Sequence, residues 1–530
     1  MPQKSIRKIL ILTREYDGLA GAGGVKDFTA QLAAALARKG NRQVTVMLPC
    51  YGFMDQEALG FTLSNLSLEV EMNYVGRERR ESVRFWETKR DGVQIVLVAA
   101  DRYAEKGGVY TYTGSEAAAD PSHRQGQAHY DYFAMNLLLQ KAAIARLVRL
   151  DERPEIIHCQ DGHTALLPAL IRESEGYRHY FNATGCLVTI HNAGVGYHQE
   201  VGDLAFAERI TGLPSRVVLA NQLNARFDPF LAASAYSLLN TVSENYAREL
   251  QESEDDDLTG GLGHKLLTRG VILEGVTNGI EPDHYDPSRP EALGLPAGFS
   301  PEHGQWSGKA RCRSELVTTL ATGNSSGVLQ TGHLDSHPSQ PLFTFIGRFT
   351  AQKGVDKLIG ALETLLPLDK KFQMLIMGSG EKETEDALVR LAGAEEYQGR
   401  ICLLRGYDEQ LAMRVYAAGD FFVIPSRYEP CGLTDFIAQL FGNLPIVHHI
   451  GGLVKVVDGV TGLAYREHNS AALMGAMLKA MELFRSEPTK LREMREAAVA
   501  HIRQNYTWDI VVERYLALYR RALEMAESGR

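Results

Sequence analysis

Positive charge is scarce in this chain: 56 lysines and arginines face 65 aspartates and glutamates, leaving a net charge of −9 and a pI of about 6.0. That sign argues against nucleic acid or an anionic membrane as the main partner. Long apolar runs are missing as well. The basic N-terminus, Met1 to Lys8, leads only into Ile9 to Leu12, too short for a signal-peptide core or a bilayer span. It reads as the first strand of a cytoplasmic protein. Cysteine is sparse: Cys50, Cys159, Cys186, Cys312, Cys402 and Cys431 include no Cys-x-x-Cys pair, which predicts free buried thiols in a reducing compartment. There is no Gly-x-x-x-x-Gly-Lys-Ser/Thr, no His-Glu-x-x-His, no fixed-period repeat and no low-complexity segment.

What is present is globular composition, 45% hydrophobic and 23% charged, in 530 residues, too many for one core. The opening is strand, loop, helix, strand: Ile6 to Thr13, the glycine-rich Arg14 to Gly24, Val25 to Arg38 with apolar residues at helical spacing, then Gln43 to Leu48. Further strands are predicted at Val93 to Ala99, Glu155 to Cys159, Cys186 to Ile190, ending at Asn240 to Val242, and at Val271 to Glu274. Helices are predicted at His129 to Leu150, Thr164 to Glu173 and Ser243 to Leu250. The acidic run Glu252 to Asp257 reads as solvated surface in a mobile boundary region.

Residues 287–340 are rich in Pro, Ser and Gly and read as a long loop or insertion, with a helix near Lys309 to Leu320. A second series of βα units follows, with strands at Leu342 to Ile346, Gln373 to Met377, Ile401 to Leu404, Phe421 to Ile424 and Pro445 to Val447. The predicted fold is therefore α/β: two successive Rossmann-like, doubly wound parallel-sheet domains facing across a cleft. Open α/β sheets bind ligands at the carboxyl ends of their strands.

Five strand-end turns carry chemistry. Gly21-Ala-Gly-Gly24 lets a ligand approach the backbone at a helix start, although a tight turn alone accounts for it. His158-Cys-Gln-Asp-Gly-His163 offers Asp161 and His163 to sugar hydroxyls; Asp161 or Thr164 as a helix cap explains the same residues, and no further ligand at useful spacing supports a metal. Thr189-Ile-His-Asn192 places His191 at a strand end. Gly347-Arg-Phe-Thr-Ala-Gln-Lys-Gly354 puts Arg348 and Lys353 on one loop, suited to a diphosphate or simply solvated. Pro425-Ser-Arg-Tyr-Glu-Pro-Cys-Gly-Leu-Thr434 sets Glu429 beside main-chain N–H groups at a helix start, a sugar-and-phosphate arrangement or an ordinary N-terminal helix acid.

Together these stretches resemble the bacterial and plant glycogen and starch synthases, retaining glycosyltransferases of the two-Rossmann, GT-B type. The likeness covers most of the chain. Thr241-Val-Ser-Glu-Asn-Tyr-Ala-Arg-Glu249, Asn278-Gly-Ile-Glu281, Gly451-Gly-Leu453 and the tail from Tyr506-Thr-Trp508 to Leu523 add to it. The resemblance implies an acceptor domain over 1–265, with a C-terminal helix, 507–530, crossing back onto it. It implies a nucleotide-sugar domain over 270–506, carrying the insertion 287–340. The activity implied is transfer of glucose, usually from ADP-glucose, to the 4-OH at the non-reducing end of an α-1,4-glucan, with no metal or other cofactor.

By that likeness His191, Arg348, Lys353 and Glu429 are the catalytic set: the two cations take the diphosphate, Glu429 bonds the donor glucose and His191 sits by its ring. Gly23, Gly24, Asn278, Tyr407, Cys431, Gly432, Leu433 and Thr434 bind the donor, with Tyr407 stacking on the base. Asp161 and His163 line the acceptor side.

Four positions depart from the family pattern. Gly21 stands where the family has lysine, Gly162 where it has tryptophan, Asp435 where it has glutamine and Lys455 where it has an acid. Lys26, three residues after Gly23, is the nearest cation able to replace the missing charge; a solvated first-turn lysine is the alternative. The identity of the nucleotide and sugar turns on these positions. The alternatives are a related retaining transferase with another donor or acceptor, and a catalytically weak glucan-binding paralogue. The Arg348, Lys353 and Glu429 set speaks against the paralogue. Oligomeric state, allosteric control and acceptor length leave no trace in the sequence.

Overall fold

The computed structural model describes residues 6–323 and 327–528. Positions 1–5 of the basic N-terminus, 324–326 of the 287–340 segment and 529–530 of the tail lie outside the described residues. The chain divides into two compact units. Unit 1 is Met1–Gly279 with Trp508–Arg530, and unit 2 is Ile280–Thr507. Among the described residues no helix is long and apolar enough to cross a membrane, and the six cysteines are buried and form no disulfide.

In unit 1 the strands are β1 (Lys8–Leu12), β2 (Gln43–Pro49), β3 (Thr62–Glu71), β4 (Arg80–Arg90), β5 (Val93–Ala99), β6 (Ile156–Gln160) and β7 (Gly185–Ile190), a separate two-residue pair β8 (Gln222–Leu223) and β9 (Arg226–Phe227), then β10 (Leu238–Thr241) and β11 (Glu274–Gly275). The main sheet runs β11-β10-β7-β6-β1-β2-β5-β4-β3. It is parallel from β11 to β5, with Ile9 opposite both Val44 and Ile156. Strands β6 and β7 are buried throughout, as expected of a parallel sheet covered on both faces.

Strands β3 and β4, antiparallel extensions of the sheet, escaped the sequence reading. Only Val70, Val83 and Phe85 along them are buried, each between exposed or half-buried residues, so no continuous apolar run announces them. The strand expected at Val271 to Glu274 is only the two-residue β11. The acidic run is also a correction. It forms a 3-10 helix, Glu254–Thr259, in which buried Asp256 accepts from the N–H groups of Gly263 and His264, both at 2.9 Å.

Unit 2 adds β12 (Leu329–Leu334), β13 (Leu342–Ile346), β14 (Gln373–Gly378), β15 (Arg400–Arg405), β16 (Phe421–Ile424), β17 (Leu444–His448) and β18 (Leu463–Tyr465), ordered β12-β15-β14-β13-β16-β17-β18. Alternate side chains enter two cores. Phe343, Met374, Ile376, Leu403, Phe421 and Val423 face one. Leu342, Leu375, Met377, Leu404, Phe422 and Ile424 face the other. The second core also takes Phe299, Leu316, Leu320 and Leu334, so the described residues of 287–340 pack into the unit; the helix expected near Lys309 to Leu320 is present and the strand β12 was not expected. Helix Ser307–Ala321 covers the sheet and β12 forms its antiparallel edge. An edge strand as polar as Leu-Gln-Thr-Gly-His-Leu, kinked at Gly332 (φ 73°), carries little strand signal.

Both sheets are doubly wound, and the direction of winding fixes where a site can form. In unit 1 the chain leaves β1 toward β2 and β5, then returns to the opposite side through β6, β7 and β10. The switch point lies between β1 and β6. In unit 2 the chain leaves β13 toward β14 and β15 and returns through β16, β17 and β18, so the switch lies between β13 and β16. Turns diverging at a switch point open a crevice beyond the strand ends.

The tail helix Trp508–Glu527 belongs to unit 1. Trp508 and Tyr515 pack edge-on against Phe28, with ring centroids 5.6 and 5.7 Å away, and the Tyr519 hydroxyl lies 2.9 Å from His158 Nδ1. Gly185 allows this approach, since a Cβ there would stand 2.7 Å from the Ala522 backbone.

Candidate active site

In unit 2 the turns after β13 and β16 meet at the switch point. Gly354 has φ 66°, and a Cβ on it would lie 1.9 Å from the Pro425 carbonyl oxygen, so only glycine lets the two turns touch. Arg427 N–H donates to the Gln352 carbonyl at 2.9 Å, and Gln352 Nε2 to the Tyr428 carbonyl at 3.3 Å. The contact brings Lys353 Nζ to 2.5 Å from Glu429 Oε2, which also accepts from Ser426 Oγ at 3.0 Å. Burial pushes the Glu429 carboxyl upward. Lys353 first, then Ser426 and Lys455, outweigh that and hold it below the usual glutamate range. Glu429 is therefore an anionic acceptor at neutral pH.

Arg348, on the same loop as Lys353, is exposed, and among the described residues its guanidinium has no hydrogen-bond or ion-pair partner. Cys431 is buried, Gly432 has φ 74°, and Leu433 caps the helix Thr434–Leu440. Tyr407, beyond β15, is 63% exposed and presents a ring at the same carboxyl edge.

In unit 1 the turns after β1, β6 and β7 converge. Gly24 caps the helix Val25–Arg38. The glycine-rich loop differs from expectation in one respect: two of its N–H groups are already used. Glu15 Oε2 accepts from Ala22 N–H at 2.7 Å and from Gly23 N–H at 3.0 Å, while Oε1 accepts from the Tyr110 hydroxyl at 2.6 Å. Gly23 is thus held by an internal carboxylate. Lys26 lies across Gly21, where a Cβ would meet its Cδ at 2.3 Å, and its ammonium pairs with Asp17 at 2.9 Å and Asp27 at 3.2 Å. Its charge is matched locally, which corrects the idea that it stands free in place of the missing lysine.

Asp161 (φ 56°) and His163 are 3% and 5% exposed. Asp161 Oδ1 accepts from His191 N–H at 2.7 Å and Asn192 N–H at 3.4 Å, and so fixes the turn after β7 rather than capping the helix, which starts at Leu167. The His163 ring lies against Tyr110, centroids 4.8 Å apart, and burial drives its pKa well down. His191 is likewise lowered by burial, to about 3, and is neutral. Because an amide oxygen only accepts, the 2.7 Å contact with Gln160 Oε1 puts the proton on His191 Nε2 and leaves Nδ1 as acceptor. Asn278 follows β11 at the far edge of the sheet, buried, with Oδ1 lacking a hydrogen-bond partner among the described residues.

A Cβ at position 162 would stand 2.3 Å from the His198 carbonyl oxygen, so this backbone path excludes the family tryptophan. Residues the sequence reading missed are Glu15, Tyr110, Gln160 and Ser426. Glu15 carried a signal like that of Glu429, an acid on a strand-end turn beside main-chain N–H groups. Gln160 carried none beyond being the last residue of its strand.

Asp161 gives a test of this arrangement. Burial raises its carboxyl to about 7, against the opposing hydrogen bonds from His191 and Asn192. An unfolded aspartate titrates at about 4. The stability this group contributes is full below that value and is lost as pH rises toward about 7, because the unfolded chain ionises first. Asp161→Asn keeps an acceptor for both N–H groups and does not titrate. Urea unfolding across this window is expected to show a shallower fall in stability for the variant than for the parent; equal slopes would refute the assignment.

Comparison with known proteins gives the family and the fold. Residues 8–267 match the family model for the starch synthase catalytic domain, and residues 333–500 the model for glycosyl transferases group 1. The catalytic domain of starch synthase IV from Arabidopsis thaliana, solved with ADP and acarbose, superposes with a TM-score of 0.80 at 23% identity, covering 98% of this chain and 100% of that one. The fold is that of a GT-B-like glycosyltransferase.

A glycogen synthase of Anaeromyxobacter sp. (strain Fw109-5) is 31% identical over 537 residues, 97% of this chain and 99% of the relative. Glycogen synthase 2 of Geobacter sulfurreducens is 30% identical over 532 residues, 98% and 99% of the two. The chain belongs to the glycogen synthase family of glycosyltransferases.

Proposed function

We propose that the protein transfers glucose from ADP-glucose to the non-reducing end of an α-1,4-glucan with retention of configuration, using no cofactor. The observation that carries this is the unit 2 switch point, where two cations, Arg348 and Lys353, share one loop with Glu429 against Lys353 at 2.5 Å. Arg348 and Lys353 take the diphosphate. Glu429, held anionic, accepts from donor glucose hydroxyls, and exposed Tyr407 stacks on the base. Gly432, Leu433 and Thr434 approach the phosphates, with Cys431, Gly24 and Asn278 completing donor binding, while Gly23, its N–H taken by Glu15, contributes only the open space left by its missing side chain. His191, neutral, lies by the glucose ring; Asp161 and His163 support the acceptor side. The bond from C1 to the phosphate oxygen breaks as C1 bonds the acceptor 4-oxygen on the same face. The acceptor proton passes to the leaving diphosphate, whose charge the two cations stabilise.

ADP-, UDP- and GDP-glucose with a glycogen primer test the proposal. ADP-glucose should give new α-1,4 linkages. Preference for another donor would reassign the nucleotide, and no turnover with retention on a glucan column would favour a binding paralogue. Because Lys26 is already paired, Lys26→Ala is expected to keep the donor KM and turnover within about threefold; a larger rise in KM would show that its ammonium reaches the donor.

A further inference from the structure

Two of the four departures from the family pattern meet in the interior. Lys455, in the turn after β17, and Asp435, in the helix after β16, are 4% and 0% exposed in their side chains and lie 3.1 Å apart. Three carbonyl oxygens surround the ammonium: Cys431 at 2.5 Å, Gly432 at 2.8 Å and Gly452 at 3.1 Å. An ammonium has three protons, and these carbonyls take them. Asp435 Oδ1 receives charge without an aimed hydrogen.

The carbonyls belong to two different turns, so Lys455 clips the turn bearing Glu429 to the turn after β17. The clip is continued by the backbone. Gly452 N–H donates to the Glu429 carbonyl at 2.9 Å, and a Cβ on Gly451 would lie 2.0 Å from that same oxygen. Trans peptides are planar, with C=O and the following N–H on opposite sides. Drawing the Cys431 and Gly432 carbonyls onto Lys455 therefore turns the N–H groups of Gly432 and Leu433 away from it.

We infer that Lys455 is a positioning residue for Glu429, with Asp435 as its matched countercharge, and that the two substitutions act as one unit. The inference rests on the reading of Glu429 as a donor-binding group. An isolated ammonium in this place would be an uncompensated buried charge, and so would the carboxylate; each makes the other tolerable. The groups facing Glu429 are Lys353, Ser426, Lys455 and Asp435, and Lys455 is among those that hold its carboxyl low.

The test is a double-mutant cycle of Lys455→Met, Asp435→Asn and both together. Lys455→Met is expected to lose about 10²-fold in kcat, since small misplacement of a catalytic group costs that much. The acid limb of its pH profile should move to higher pH. The double variant should recover about tenfold, because no buried carboxylate is left unpaired. Single losses that multiply in the double variant would overturn the coupling, and kcat of Lys455→Met within about twofold would overturn the role. If Lys455→Met does not fold, recovery of folding in the double variant reads the coupling, and a double variant that also fails to fold overturns it.

Parent enzyme inactive with every nucleotide sugar would sink the functional reading. The inference would then be read from a crystal structure of the double variant, where the Glu429 carboxylate should be displaced by about 1 Å. A carboxylate still 2.5 Å from Lys353 would refute it.

Discussion

Replacing Lys353 with alanine is expected to lower kcat by about 10³-fold while the protein stays folded, the loss usual for one charge-stabilising group in a preorganised site. Two effects combine. The leaving diphosphate loses one of its two cations, and Arg348 alone remains on the loop. Glu429 also loses the 2.5 Å partner that does most to keep it anionic. Its pKa rises toward the value burial alone would set, so the acid limb of the variant's rate profile should move to higher pH. Ser426 still donates to Oε2, and the pair is partly open, with side chains 23% and 12% exposed. The stability loss should therefore be only about 1–2 kcal/mol, a few degrees in Tm. Glu429→Ala should match the loss in kcat. Turnover within tenfold of the parent in either variant would remove both residues from the catalytic set.

Trp508→Ala should have the largest effect on stability. The indole is 1% exposed and packs on Phe28, and Gly279 leaves room for it, since a Cβ there would lie 2.7 Å from the ring. Its Nε1–H donates to Gln31 Oε1 at 2.6 Å. Emptying such a site costs about 3–5 kcal/mol. Calorimetry should show the transition of unit 1 falling by about 10 °C. A shift below about 2 °C would mean that the tail helix is not part of the unit 1 core. Because Phe28 also touches the His191 ring, centroids 4.5 Å apart, the variant should lose activity below its melting point as well.

The parallel strands other than the three-residue β18, which falls in a stretch read as helical, were legible in the sequence because buried strands are short continuous apolar runs between turn residues, and each such run is a local property. The turns holding Arg348, Lys353, Glu429 and His191 were legible for the same reason, since each directly follows one of those runs. Strands β3, β4 and β12 were not. They are edge or extension strands with polar faces, and only their partners make them strands. Thr164 to Leu166 read as the first turn of a helix with Asp161 as a candidate cap, but the helix starts at Leu167 and Asp161 takes φ 56° to reach the N–H groups of the turn after β7.

By itself, then, the sequence determined the class of fold, two doubly wound units, and most of the polar residues at their strand ends. Tertiary structure decided which of those residues are free to act. Arg348 is open, Lys353 is held by Glu429, Gly23 is occupied by Glu15, and Asp161 serves the backbone. Lys455 and Asp435, 20 positions apart and each out of pattern alone, became one buried pair. Periodicity reports which face of an element is apolar. It does not report which distant carboxylate or carbonyl a buried charge will meet, and that pairing sets what each group can do.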